Sequence, residues 1–195
     1  MSSGIYSQSK IEGTYYLRGV MEVGSGFLLK PDSTFQFFFT YGALDREGSG
    51  RWAIKGKQVI LNSGPKPSPD FALIKNSIIN SDFTTIKIIN SNQNFLRYVY
   101  AYVKFSDTTL EEKTNEEGEL KIPRKGVENI SLAFEFSPEK IFNFKAGKEY
   151  NYYEFQMEPS ITEVFFKNFH LQIAPGELKG KHPLLDEKEY VYEKE

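Results

Sequence analysis

Apolar and polar residues alternate at period two along much of this chain. The stretch 34–41, TFQFFFTY, shows it most plainly. Phe35, Phe37 and Phe39 fall on one face, and Gln36, Phe38 and Thr40 on the other, which is the spacing of a pleated strand. The pattern predicts strands at 14–22, 27–29, 34–41, 51–54 and 58–61, a five-strand β-meander. The breaks between them carry turn chemistry. Pro31-Asp32-Ser33 presets φ and supplies side-chain acceptors, and Lys55-Gly56-Lys57 reads as a tight hairpin. Gly24 and Gly26 read as the brackets of a bend, and Gly48 and Gly50 as the lead-in to the fourth strand.

After the meander the pattern stops. SGPKPSP (63–69) holds three prolines in seven residues, which cannot sit inside a sheet, so residues 64–69 are expected to be a linker. Strands resume at 71–75, 84–90, 97–105, 120–123, 130–136, 150–157, 163–173 and 190–192. Turn signals between them at regular spacing point to a sandwich or barrel. The charged run TTLEEKTNEEGE (108–119) reads as a solvated turn region. SPEKIF (137–142) has a serine cap followed by proline, the start of a helical turn. The expected architecture is all-β, with a small β-meander or partial barrel over 11–63 and an Ig-like β-sandwich over 70–195.

Two stretches resemble known domains. Residues 21–52 contain Glu22, Ser25, a Leu-x-x-Asp-x-Thr-Phe run ending at Phe35, the string Tyr41-Gly42-Ala43-Leu44-Asp45, and Gly50-x-Trp52. This resembles a small β domain found in many bacterial proteins, one with no established activity, so the resemblance implies a fold and no chemistry. Thr114-Asn115-x-x-Gly118-Glu119-Leu120-x-Ile122-Pro123 is similar to the turn-and-strand signature of carboxypeptidase-regulatory-like and transthyretin-like domains. These are seven-stranded sandwiches used mostly as structural or binding modules, and a fold alone does not assign a function.

Composition narrows the functional classes. The net charge is −2, without the positive surplus that non-specific nucleic-acid binding needs. Residues 1–69 hold 8 basic and 5 acidic side chains and the remainder 16 and 21, so the parts carry +3 and −5, which supports two units. The absence of cysteine removes disulfides, thiolate metal sites and thiol nucleophiles. No apolar run approaches a membrane span, and MSSGIYSQSK lacks the apolar core of a secretion leader. A cytoplasmic protein is the favoured expectation, with an exported mature form as the alternative.

No catalytic constellation is legible. His170 and His182 lack ligand spacing, so neither a metal site nor a cofactor is expected, and each histidine reads as structural or solvated. Ser25 lies in Gly24-Ser25-Gly26 without the strand–turn–helix context of a nucleophile elbow. Glu22 and Asp45 would serve as a glycosidase pair only if they faced each other. The plainer reading has Asp45 bonding backbone amides in a turn and Glu22 pairing with Arg18 or Arg51. The aromatics say more, at 15% of residues. Tyr98, Tyr100 and Tyr102 share strand parity and are the leading candidates for an exposed binding face. Trp52 offers a flat ring for sugar stacking. These residues, with Glu22 and Asp45, form the expected site of a non-enzymatic structural or protein-binding module. The alternative is a carbohydrate- or small-ligand-binding module.

Overall fold

The computed structural model describes residues 11–42 and 44–195. The segment 1–10, read above for a secretion leader, and Ala43 of the tyrosine–glycine string lie outside them. The described chain divides into two compact units, one running up to Lys66 and resuming over Thr162–Glu195, the other Pro67–Ile161.

In the first unit β1 (Gly13–Leu17), β2 (Val23–Leu29), β3 (Thr34–Tyr41), β4 (Leu44–Lys55) and β5 (Gln58–Asn62) form an antiparallel meander. Its turns follow from the residues. Asp32 Oδ1 accepts the Thr34 N–H at 3.0 Å and the Thr34 hydroxyl at 2.6 Å. Gly56 turns the last hairpin at φ 62°. The glycines depart from expectation. Gly24 and Gly26 lie within β2, and Gly48 and Gly50 within the twelve-residue β4. They permit close approach and make no bend: a Cβ on Gly26 would stand 2.2 Å from the Tyr15 carbonyl oxygen and 2.8 Å from the Phe38 ring.

The second unit contains β6 (Phe71–Ser77), β7 (Thr84–Ile89), β8 (Val99–Lys104), β9 (Thr109–Lys113), β10 (Glu119–Ile122), β11 (Asn129–Phe134), β12 (Ser137–Lys145) and β13 (Tyr152–Met157). They form two four-stranded sheets, ordered β10-β7-β13-β6 and β12-β11-β8-β9. Inward residues of both, among them Ile86, Phe155, Val103 and Leu132, make one apolar core. Two segments differ from the sequence pattern. The charged run 108–119 contains the edge strand β9, because its backbone pairs with β8 whatever its side chains do. SPEKIF opens β12, where Ser137 Oγ donates to the Ile161 carbonyl at 2.8 Å and caps no helix.

The chain then returns to the first unit through β14 (Glu163–Val164), β15 (Phe169–Ala174), β16 (Glu177–Gly180) and β17 (Tyr190–Lys194). The strand expected at 163–173 is broken at Asn168, which has φ 48°. β15 pairs with β5, β16 with β15 and β17, and β17 with β1, closing an eight-stranded barrel. β14 lies parallel beside β4. The sequence reading puts all of 70–195 in one domain, whereas the hydrogen bonding puts β14–β17 in the sheet of β1–β5.

An eight-stranded barrel encloses space that side chains alone can fill. Here rings fill it: Phe27 lies 5.1 Å from both Phe37 and Tyr192, and Phe166 lies 5.2 Å from Phe35 and 5.3 Å from Phe37. Each such ring contributes about 1.5–3 kcal/mol on burial.

Candidate functional site

β8 alternates cleanly. Val99, Ala101 and Val103 are buried in the core of the second unit, while Tyr100 and Tyr102 point the other way and are half-buried. The register fixes their neighbours. Tyr100 stands between Lys113 of β9 and Ala133 of β11, and Ala133 faces Ile141 of β12. Tyr102 stands between Glu111 and Ser131, and Ser131 faces Asn143. Tyr98 belongs to the short 3-10 turn Gln93–Tyr98 that leads into the strand. Its ring packs 4.9 Å from Phe136.

One cation organises these rings. Lys113 Nζ lies 5.2 Å from the Tyr98 centroid and 4.9 Å from that of Tyr100, within reach of cation–π attraction. Glu135 anchors the ammonium at 2.5 Å. Beyond the rings, Ser131 Oγ donates to Asn143 Oδ1 at 2.7 Å, and Ile141 is 59% exposed. The face thus presents phenol rings and a branched aliphatic side chain beside hydroxyl and amide groups, with Ala133 buried between them.

The other expected residues lie elsewhere. Trp52 is only 3% exposed and belongs to the barrel core. Its Nε1–H donates to the Lys30 carbonyl at 3.0 Å, so its ring face is not offered to a sugar. Glu22 is exposed in the turn between β1 and β2, at φ 61°. Asp45 is exposed in β4 opposite Thr40, in a strand and not in the expected turn. Arg18 pairs with Glu193 at 2.8 Å across the β1–β17 seam, where Glu22 had been expected as its partner.

One pairing has no counterpart in the sequence pattern. Ser25 of β2 and His182, both almost wholly buried, meet inside the barrel with Oγ 3.0 Å from Nε2. The geometry runs opposite to a catalytic dyad. His182 Nδ1 accepts the Leu184 N–H at 3.0 Å, so the single ring proton sits on Nε2 and is donated to Ser25. Ser25 in turn donates to the Phe38 carbonyl at 2.8 Å. A general base must accept the serine proton, and here the acceptor position is taken. Burial holds the imidazole far below its usual range, at about 4. The signal available in the sequence was His182-Pro183-Leu184-Leu185, an apolar island between charged residues.

A groove of about 550 Å³ is lined by Arg51, Trp52, Ile54 and Ile60 among others, and two more lie on the barrel's outer surface. One of about 590 Å³ is lined by Gln58, His170, Gln172, Lys179 and Glu187 among others, with His170 Nδ1 at 3.1 Å from Gln58 Oε1. The other, about 370 Å³, is bordered by Tyr16, Gln36, Phe38 and Glu47, and the Tyr16 and Phe38 rings meet edge-on at 5.8 Å. Among the described residues no three histidine, aspartate or glutamate side chains converge to hold a metal ion. No helix among them is long and apolar enough to cross a membrane. Comparison with protein-family models, curated proteins and solved structures returned no match.

Proposed function

We propose that the protein is a non-catalytic binding module and that its contact surface is the outer face of the sheet β12-β11-β8-β9. In this reading the second unit is a β-sandwich of the Ig-like or transthyretin-like kind, and the partner is another protein. The observation that carries it is the set of half-exposed tyrosines, Tyr98, Tyr100 and Tyr102, continued across the sheet by the exposed Ile141. Tyrosine supplies large contact area with little rotamer entropy to lose, and it is enriched where interface energy concentrates. The Ser25–His182 geometry supports the non-catalytic half of the reading.

A second reading, a carbohydrate-binding module, is favoured by the Tyr16–Phe38 groove, where two rings stand beside an amide and a carboxylate. One comparison separates the two. The wild type, Tyr100→Ser/Tyr102→Ser and Tyr16→Ala are each presented to native extract and to a glycan array. Losing an anchoring tyrosine weakens a protein contact about tenfold or more. The first reading expects a protein partner held by the wild type and by Tyr16→Ala and released by the double variant. A glycan signal that only Tyr16→Ala abolishes would replace it with the second.

A further inference from the structure

We propose that the connection between β16 and β17, residues 181–189, is an acid-released latch over one end of the barrel, with His182 as its catch. This concerns the barrel unit and stands apart from the tyrosine face. The ring is 4% exposed. It lies at centroid distances of 5.7 Å from Phe37, 5.4 Å from Phe39, 5.9 Å from Tyr190 and 6.4 Å from Tyr192. Leu184 and Leu185 follow it in and pack against the barrel core. Two hydrogen bonds define the closed state: Leu184 N–H to Nδ1 at 3.0 Å, and Nε2–H to Ser25 at 3.0 Å.

The bond from Leu184 requires a neutral ring, because Nδ1 must keep its lone pair, while the Nε2–H donated to Ser25 is present in either state. A second proton would sit on Nδ1 and face the Leu184 N–H, donor against donor. It would also place a cation among apolar rings, away from water. The ring faces attract a cation, but lost hydration dominates, as the depressed imidazole records. Neutral groups face the ring from each neighbouring strand. β2 contributes Ser25 and β3 contributes Phe37 and Phe39. β17 contributes Tyr190 and Tyr192, whose phenols are pushed up by burial and are uncharged in acid. Of the five charges on the loop, four are paired with one another, Lys181 with Glu187 and Lys188 with Asp186, which also accepts from the Tyr190 hydroxyl at 2.5 Å, and the fifth, Glu189, acts on Lys179 of β16.

The sign follows. Above pH 6.5, the ordinary histidine value, neither the closed nor the open loop takes up the proton, and the latch holds. As pH falls from 6.5 to about 4, the open state binds a proton that the closed state refuses. The closed-to-open ratio then drops about tenfold per pH unit, by roughly 300-fold in all, and levels off below. Release would uncover Leu184, Leu185 and the ring-lined barrel end.

Amide hydrogen exchange on the full chain at pH 7.5 and pH 4.5, corrected for intrinsic exchange, tests this. The expected result is a roughly 100-fold loss of protection at Leu184 and its loop neighbours, with the amides of β2, β3 and β17 still protected. His182→Gln, which cannot take the proton, should protect the loop equally at both values. Should that variant fail to fold, His170→Gln leaves His182 as the only imidazole, and its NMR titration should move in step with the loop resonances. Unchanged Leu184 protection at pH 4.5 would overturn the latch. So would loss of protection shared by the whole barrel, or an imidazole that titrates while the loop stays put.

Discussion

Asn151 is 2% exposed, and its amide answers the backbone on both sides. Oδ1 accepts the Ile79 N–H at 2.7 Å, while Nδ2 donates to the carbonyls of Ile79 and Ser81 at 3.0 Å and of Phe83 at 3.3 Å. One side chain therefore holds the whole connection between β6 and β7. Asn151→Ala would leave these groups to find water from a crowded position, and the expected loss is about 2–4 kcal/mol. Asn151→Asp keeps the acceptor but turns a carboxylate toward three carbonyls, so it should be no better than alanine. Urea denaturation of both variants checks this; wild-type midpoints would show that the loop is held by something else. Polar contacts of this kind are hard to read from sequence, because both partners lie far apart along the chain. Asn151 gives no local sign of the loop it clasps, and Ser25 gives none of His182, 157 positions away. The parity of Tyr100 and Tyr102 is a local property and is visible in the sequence. The burial of Trp52 is not, since a ring between Arg51 and Ala53 looks the same in a core as on a surface.

Strands announce themselves when their side chains alternate and go unnoticed when only their backbones pair. β3 is legible because Phe35, Phe37 and Phe39 are all buried. β9 is illegible because its side chains are nearly all solvated and it exists as an edge on β8. β12 hides behind a Ser-Pro opening that also suits a helix cap. Glycine misleads in a different way. Gly48 and Gly50 read as a boundary, yet they mark where β4 changes partner, from β14 at Glu47 and Gly48 to β5 from Arg51 onward. A Cβ on Gly50 would stand 2.1 Å from the Asn62 carbonyl oxygen, and one on Gly48 would stand 2.6 Å from that of Val164. Alanine normally improves on glycine inside a strand. Here backbone atoms block it, so Gly50→Ala should destabilise the protein by about 1–3 kcal/mol despite the propensity gain. A melting temperature equal to or above that of the wild type would show that β4 and β5 can part without loss.

At the scale of the molecule, the barrel is a meander interrupted once, between β5 and β14, by the second unit. Alternation within a strand does not say which sheet the strand joins, so β15–β17 look in sequence like a continuation of whatever precedes them. The structure instead brings the two ends of the interruption together: the Ser63 N–H donates to the Phe166 carbonyl at 2.8 Å, and Ser63 Oγ accepts the Phe166 N–H at 3.0 Å. An insertion whose ends meet can be removed without stretching its host. Replacing residues 67–161 with a short glycine–serine linker should therefore leave a folded barrel, and residues 67–161 alone should fold around their own core. Residues 1–63 alone should not fold. Without β15–β17 the meander loses the pairing partners of β1 and β5 and exposes Phe27, Val59 and Leu61, now wholly buried. Thermal melts and NMR dispersion of the three chains decide the matter. Cooperative transitions in the linker-joined barrel and in 67–161, with none in 1–63, are the expected pattern. A cooperatively folded 1–63 would instead mean that the five-strand meander is the stable unit and that β15–β17 merely decorate it.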